Sequence, residues 1–361
     1  MCAIESKGPL RAARLQLLIC SLVLVAFGGC TQAPAPVVEV ITGETMGTTY
    51  SVKIVPTQAM PALDVIAEKL AAELVSVNDQ MSTYLASSEL SRFNDEQSTE
   101  WFSVSEETAA VASLALEVHA LTEGAFDVTV GPLVDLWGFG PTRRAEVTPS
   151  NVEITDLLQV VGSDKLEVRL HPPALRKKVL GLRVDLSAIA KGHGVDRLAE
   201  LLDELQVEAY FVEIGGEIRT RGKRLDGRAW QVGIERPLEG ERAVQAIIAL
   251  SDRSLATSGD YRNFFEQEGR RVNHFIDPRT GYPVTSQVAS VSVIADNCAL
   301  ADALATGLMA AGYAKGLRLA EKNGWAVMLI ARTGEAFEVV ATPQFESLSP
   351  QSLSAPAGSE Q

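Results

Sequence analysis

Cysteine, histidine and positive charge are all scarce in this chain, and each scarcity removes a class of function. There are four cysteines, and Cys2 and Cys20 fall in a leader-like segment, so only Cys30 and Cys298 remain beyond it. The four histidines (His119, His171, His193 and His274) are scattered, with no HExxH and no CxxC, so a zinc centre is not expected. Lys and Arg number 32 against 46 Asp and Glu, a net charge of −14, which argues against a nucleic-acid surface. The same deficit means that any anionic ligand must be received by local positive charge or by a metal ion. A Rossmann fingerprint is absent, and "GEIRTRGK" (216–223) lacks the spacing of a P-loop.

What is present begins with a leader. Lys7, Arg11 and Arg14 precede an apolar run from Leu15 to Phe27, the length of a signal-peptide core and short of the about 20 residues of a membrane span. The run ends in "AFGGC", which resembles a bacterial lipobox with Cys30 as the lipid-bearing residue; Phe27 stands where Leu is commoner. The alternative is a plain secreted protein in which Cys30 is incidental. The expected organisation is therefore a signal peptide over 1–29, a Pro/Ala tether over 30–40, one domain over 41–342, and a disordered tail rich in Ser, Pro and Gln over 343–361.

Within the domain, Thr48 to Val55 reads as a strand, and Leu63, Ile66, Leu70, Leu74 and Val77 recur at helical spacing across roughly 61–79. A second helix follows Ser105, a capping residue with Glu106 and Glu107 in the first turn, and ends at Gly124. Strands are expected at 166–170 and 182–186, then a helix at about 190–205. Further strands fit 209–221, 230–235, 244–250, 288–295, 326–331 and 336–341, with the glycine pair of "EIGG" (213–216) read as a bulge or a close-packed backbone inside its strand. Neighbouring strands with interspersed helices predict an α+β fold with mainly antiparallel sheet.

Several stretches could carry chemistry. In "LADALATGL" (300–308), Asp302 and Thr306 lie four residues apart and share one face of an alanine-rich helix. Hard oxygen donors so placed suit Mg²⁺, and a carboxylate bonded to neighbouring backbone is the plainer reading. "VDLSAIAKGHGVD" (184–196) sets Lys191, Gly192 and Gly194 near a helix start, a seat for a pyrophosphate or simply a glycine-bearing turn with a surface lysine. "HFIDPRTGYPV" (274–284) places His274, Asp277 and Arg279 around a tight turn, where His274 is a candidate general base or a hairpin-edge histidine. "TSGDYRNFF" (257–265) adds Ser258, Asp260 and Arg262.

Taken in order, "ETMGTTYSV", "STYLASSELSRFN", "GAFDVTVGPLVDLWGFG", "VDLSAIAKGHGVD", "VEIGGEIRTRG", "ATSGDYRNF", "HFIDPRTGYPV" and "DALATGLM" resemble the ApbE family of FAD:protein FMN transferases. The resemblance spans about 42 to 310. It implies a T-fold-like α+β domain that binds FAD and Mg²⁺, transfers FMN to a Thr or Ser hydroxyl of a partner protein and releases AMP. It implies flavin contacts at Met46, Tyr84, Ala125, Phe126 and Asp127, further FAD contacts at Asp185, Lys191 and Ile276, and metal positions at Asp302 and Thr306 with the Ala188 carbonyl. Asp302 and His274 are the expected catalytic residues. The implied partners are flavin-bearing subunits of membrane redox complexes, such as the Na⁺-translocating NADH:quinone oxidoreductase and Rnf, or other exported FMN-binding domains, met at the periplasmic side of the inner membrane. An FAD pyrophosphatase and an exported FAD-binding lipoprotein are the competing expectations.

Overall fold

The computed structural model describes residues 37–140, 148–238, 240, 243–261, 264–267, 270–334 and 336–348. Cys30, with the leader and most of the tether, lies outside them. The elements in chain order are β1 (Glu39–Thr45), β2 (Thr48–Ile54), α1 (Leu63–Met81), α2 (Glu89–Asp95), β3 (Phe102–Ser103), α3 (Glu106–Leu121), α4 (Gly131–Leu136) and α5 (Asn151–Leu158). Then come β4 (Leu166–Leu170), β5 (Pro173–Lys177), α6 (Ser187–Glu204), β6 (Tyr210–Ile214), β7 (Glu217–Arg221), β8 (Trp230–Arg236) and β9 (Ala243–Leu250). The last are β10 (Ser254–Gly259), β11 (Phe264–Gln267), β12 (Arg270–Asn273), β13 (Val288–Ala295), α7 (Cys298–Ala311), α8 (Tyr313–Asn323), β14 (Ala326–Thr333), β15 (Ala336–Ala341) and α9 (Pro343–Leu348).

An eight-stranded antiparallel sheet runs β1-β2-β6-β7-β10-β13-β14-β15. Helices cover one face. Ile66, Leu70 and Leu74 of α1 pack with Val195, Leu198 and Leu202 of α6 against Val52, Val212 and Ile214. Leu304 and Leu308 of α7 pack with Val118 of α3 against Val291, Val293 and Leu329. On the opposite face, Trp230 and Ile248 of the β8–β9 hairpin and Phe345 of α9 meet Ile218, Leu255 and Met328. Central strand β13 is buried on both faces, so its apolar run is almost unbroken.

Four local readings change. The "EIGG" glycines are not a bulge: Gly215 and Gly216 have φ of 61° and 106° and form the turn between β6 and β7, where side chains other than glycine are strained. Residues 182–186 alternate in burial as expected, but they form no strand. The Asn94 side chain takes the partner's place, donating to the Val184 carbonyl at 2.8 Å and accepting the Val184 N–H at 2.7 Å. The adjacent three-stranded sheet instead uses β5, ordered β3-β5-β4, although β5 opens on a proline and ends on the buried Lys177. The tail does not begin at Pro343, because α9 docks through the fully buried Phe345 and the Thr342 hydroxyl accepts the Val327 N–H.

Candidate active site

The helix α7 is set in place by one acid of α6 and by its own N-cap asparagine. Its first N–H groups lack partners within the helix; Asp196 of α6 accepts those of Cys298 and Ala299, both at 2.9 Å, and the Asn297 side chain accepts that of Leu300 at 2.8 Å. Arg219 donates to the same Asp196 carboxylate at 2.6 Å. Close approach of α6 and α7 requires Gly192, where a Cβ would lie 2.4 Å from the Cys298 carbonyl oxygen.

That approach brings Asp302 onto α6. Its Oδ2 accepts the Gly192 N–H at 3.0 Å, while Oδ1 faces the Lys191 ammonium at 3.7 Å, beyond hydrogen-bond reach. Lys191 instead bonds Glu217 Oε1 at 2.8 Å. The Glu217 and Asp302 side chains are 4 % and 3 % exposed and that of Lys191 is 31 % exposed, so two buried carboxylates share one ammonium at the edge of a cavity. Burial pushes the Glu217 carboxyl up to about 7 against the pull of Lys191, and raises Asp302 as well. Burial alone would lower Lys191, yet the charges of Asp302 and Glu217 overcome it and hold the ammonium above its usual range. One turn along α7, the Thr306 and Ser258 hydroxyls lie 3.0 Å apart.

All five of these residues line one cavity of about 740 Å³. Ala125, Phe126, Asp127, Val130, Val134 and Ile276 make an apolar wall, and Asp185, Ala188 and His274 also face the space. Asp127 contributes to that wall without a free carboxylate: Oδ1 takes the Thr129 N–H and hydroxyl, and Oδ2 takes the Ser163 N–H. The His274 ring packs on Phe275 with centroids 4.1 Å apart. Its expected neighbours are engaged elsewhere, since Arg279 makes a two-pronged contact with Asp277 across the turn and neither lines the cavity.

Two expected contacts stand outside the lining. Met46 sits at φ 49° in the β1–β2 turn with its terminal methyl against Gly194, so Gly194, like Gly192, serves helix packing rather than a diphosphate. Lys191 is in the second turn of α6 and not at its N-terminus. Tyr84 is 73 % exposed, and partial burial and the charges of Asp185 and Asp135 raise its phenol. The sequence reading assigned nothing to Glu217, which proves to be a cavity carboxylate with a buried Oε2 lacking any hydrogen-bond partner. Its signal was a glutamate directly after a Gly-Gly turn.

Among the described residues no cluster of three His, Cys, Asp or Glu side chains can hold a metal ion. The donors present are hard oxygens: the Asp302 carboxylate, the Thr306 hydroxyl and the main chain near Ala188. Such a sparse set fits Mg²⁺, which completes its octahedron from water and ligand phosphates. The orphaned Glu217 oxygen and the acidic wall of Glu213, Glu217, Glu235 and Asp302 point the same way, because a dianionic diphosphate could not enter without added cations.

The family model described as ApbE family matches residues 46–329. A protein of Vibrio cholerae serotype O1 named FAD:protein FMN transferase is 45% identical over 328 residues, 91% of this chain and 96% of that protein. The Haemophilus influenzae protein of the same name is 44% identical over 341 residues, covering 92% and 99%. Among solved structures, the flavin transferase ApbE from Vibrio cholerae matches with a TM-score of 0.81 at 43% identity, over 87% of this chain and 99% of that one. The apo form of the Pseudomonas stutzeri flavinyl transferase ApbE also reaches 0.81, at 37% identity over 87% and 97%.

Proposed function

This chain belongs to the ApbE family and transfers FMN from FAD to a target protein, and from that premise we propose how its residues do so. The acceptor is a Thr or Ser hydroxyl. Its oxygen forms a bond to the FMN-side phosphorus, the P–O–P bridge breaks, and AMP leaves with the bonding pair. An anhydride is exchanged for an ester, so no second nucleotide is consumed.

Phosphoryl transfer is largely positioning and neutralisation of charge. Asp302, Thr306 and the Ala188 carbonyl hold Mg²⁺, which when bound offsets the charge of the diphosphate. Lys191 supplies a second, fixed positive charge beside it. The apolar wall of Ala125, Phe126 and Ile276 takes the flavin, with Met46, Tyr84 and Asp185 toward the rim. His274 accepts the proton of the incoming hydroxyl; a base so placed contributes about 10²–10⁴-fold.

The observation that carries this reading is the pairing of Asp302 Oδ1 and the Thr306 hydroxyl on one face of α7, both opening into the cavity. Cys30 bears a lipid that holds the domain at the periplasmic side of the inner membrane, near flavin-bearing subunits of the Na⁺-translocating NADH:quinone oxidoreductase, Rnf or other exported FMN-binding domains. The test is to incubate the protein with FAD, Mg²⁺ and a candidate acceptor domain, and to weigh the acceptor. A mass gain of one FMN, lost when Mg²⁺ is chelated, is expected. Release of free FMN and AMP with the acceptor unchanged would instead mark a pyrophosphatase.

A further inference from the structure

Asp302 has a cationic neighbour that pairs with it only at long range. The Lys191 ammonium is 3.7 Å from Asp302 Oδ1 but 2.8 Å from Glu217 Oε1. With the Asp302 carboxylate buried, the two opposite charges would be expected to close to hydrogen-bond distance, since a charge-assisted bond is stronger than a pairing at 3.7 Å. Glu217 prevents it. The glutamate starts β7 immediately after the Gly215–Gly216 turn and is itself buried, so its reach into the cavity is fixed by the backbone. Its second oxygen, Oε2, is buried and unpartnered. Leaving a carboxylate oxygen in that state is costly.

We infer that Glu217 is a positioning residue that draws Lys191 away from Asp302 and so keeps Oδ1 open to a divalent cation. The inference rests on the proposed binding of Mg²⁺ at Asp302. Without Glu217, Lys191 closes on Oδ1 and becomes a built-in competitor for the metal. With it, the ammonium stays beside the site, paired and aimed at the ligand's diphosphate. Glu217 therefore acts through Lys191, and its effect disappears when Lys191 is absent.

The test reads metal binding rather than turnover. Mn²⁺ is titrated into the FAD-free, full-length protein, followed by loss of the free-ion EPR signal, with Mg²⁺ as competitor. Glu217→Asp keeps the charge but withdraws the carboxylate by one methylene, and should weaken binding by about tenfold, within the range found for groups that orient metal ligands. Glu217→Gln should weaken it at least as much. In a Lys191→Met background the same Glu217→Gln change should shift affinity by less than about twofold, a non-additivity of the kind a double-mutant cycle isolates.

Lys191→Met leaves two buried carboxylates without their counter-charge and is the variant at risk of not folding; Glu217→Asp then carries the test alone. Unchanged affinity in Glu217→Asp would overturn the proposal. So would an equal loss from Glu217→Gln with and without Lys191, which would reduce Glu217 to one more negative charge near the metal. Asp302→Ala separates the two levels. If it binds the ion as tightly as the wild type, the metal assignment itself is wrong and this inference falls with it.

Discussion

Asp196 and Asp302 are both buried carboxylates at the junction of α6 and α7, 6 % and 2 % exposed, yet they are treated in opposite ways. Asp196 is saturated: two backbone N–H groups and the Arg219 guanidinium meet it at 2.6–2.9 Å. Asp302 has one N–H at 3.0 Å and an ammonium held off at 3.7 Å. A saturated buried acid is a structural element, since removing it strands its donors. An acid left short of partners, with one oxygen opening into a cavity, stores a demand for a cation. The pair shows how burial alone fails to separate scaffold from chemistry, and how a count of partners succeeds.

The comparison breaks first at Asp302. Asp302→Ala should cut FMN transfer by about 10³-fold or more, because the charge stabilisation of the diphosphate is lost where water cannot replace it. The variant should remain folded, since the Gly192 N–H loses its side-chain partner while Lys191 keeps its hydrogen bond to Glu217. Transfer assays over a range of Mg²⁺, with flavin binding followed by fluorescence, check both halves. Normal turnover at low Mg²⁺ would remove Asp302 from the chemistry.

Asp196→Ala is expected to do the reverse. It unpairs Arg219 and leaves the N–H groups of Cys298 and Ala299 without an acceptor, and breaking such a buried pair costs about 3–5 kcal/mol. Denaturant unfolding should show the loss as a fall in midpoint. The protein that stays folded should still bind Mg²⁺ through Asp302. A stability change under about 0.5 kcal/mol, the range of ordinary surface substitutions, would show that α7 does not depend on its cap from α6.

How far these two acids were legible from sequence follows the range of their partners. Asp302 and Thr306 could be found because their relation is local, one helical turn apart. The burial of Ile66, Leu70, Leu74 and Val77 follows from helical period in the same way. Asp196 could not be read as a cap, since the amides it caps are 102 and 103 residues along the chain. Glu217 was hidden because its meaning depends on Lys191 in another element. At 182–186 the alternation was real, with Leu182, Val184 and Leu186 buried, but a side chain 90 residues away replaced the partner strand. At Pro343 the composition of a tail concealed one phenylalanine that closes a core.

A smaller effect sharpens the same contrast with a different residue. His193 lies on α6, half-buried, where Arg197 of its own helix and Glu107 of α3 are the charges that act on it, and its Nε2 is buried without a hydrogen-bond partner. Burial, aided by the charge of Arg197 and opposed by that of Glu107, pushes its pKa down to about 4. The unfolded chain therefore binds this proton below about 6.5 while the native state does not until about 4. Stability contributed by neutral His193 is present above the upper value and is lost as pH falls between the two. The loss is on the order of 1–3 kcal/mol, smaller in so far as the ring edge is solvated. Glu217 works in the opposite direction: its raised pKa of about 7 makes the native state bind the extra proton, so its contribution grows as pH falls from 7 toward 4.5. The net slope of the wild type mixes the two, and the prediction concerns a difference. His193→Asn should unfold with a shallower loss of stability, or a gain, between pH 6.5 and 4, measured by denaturant midpoints at fixed ionic strength. Parallel curves for the two proteins would mean that His193 takes its proton in the folded state, and that its site beside Glu107 holds water enough to solvate it.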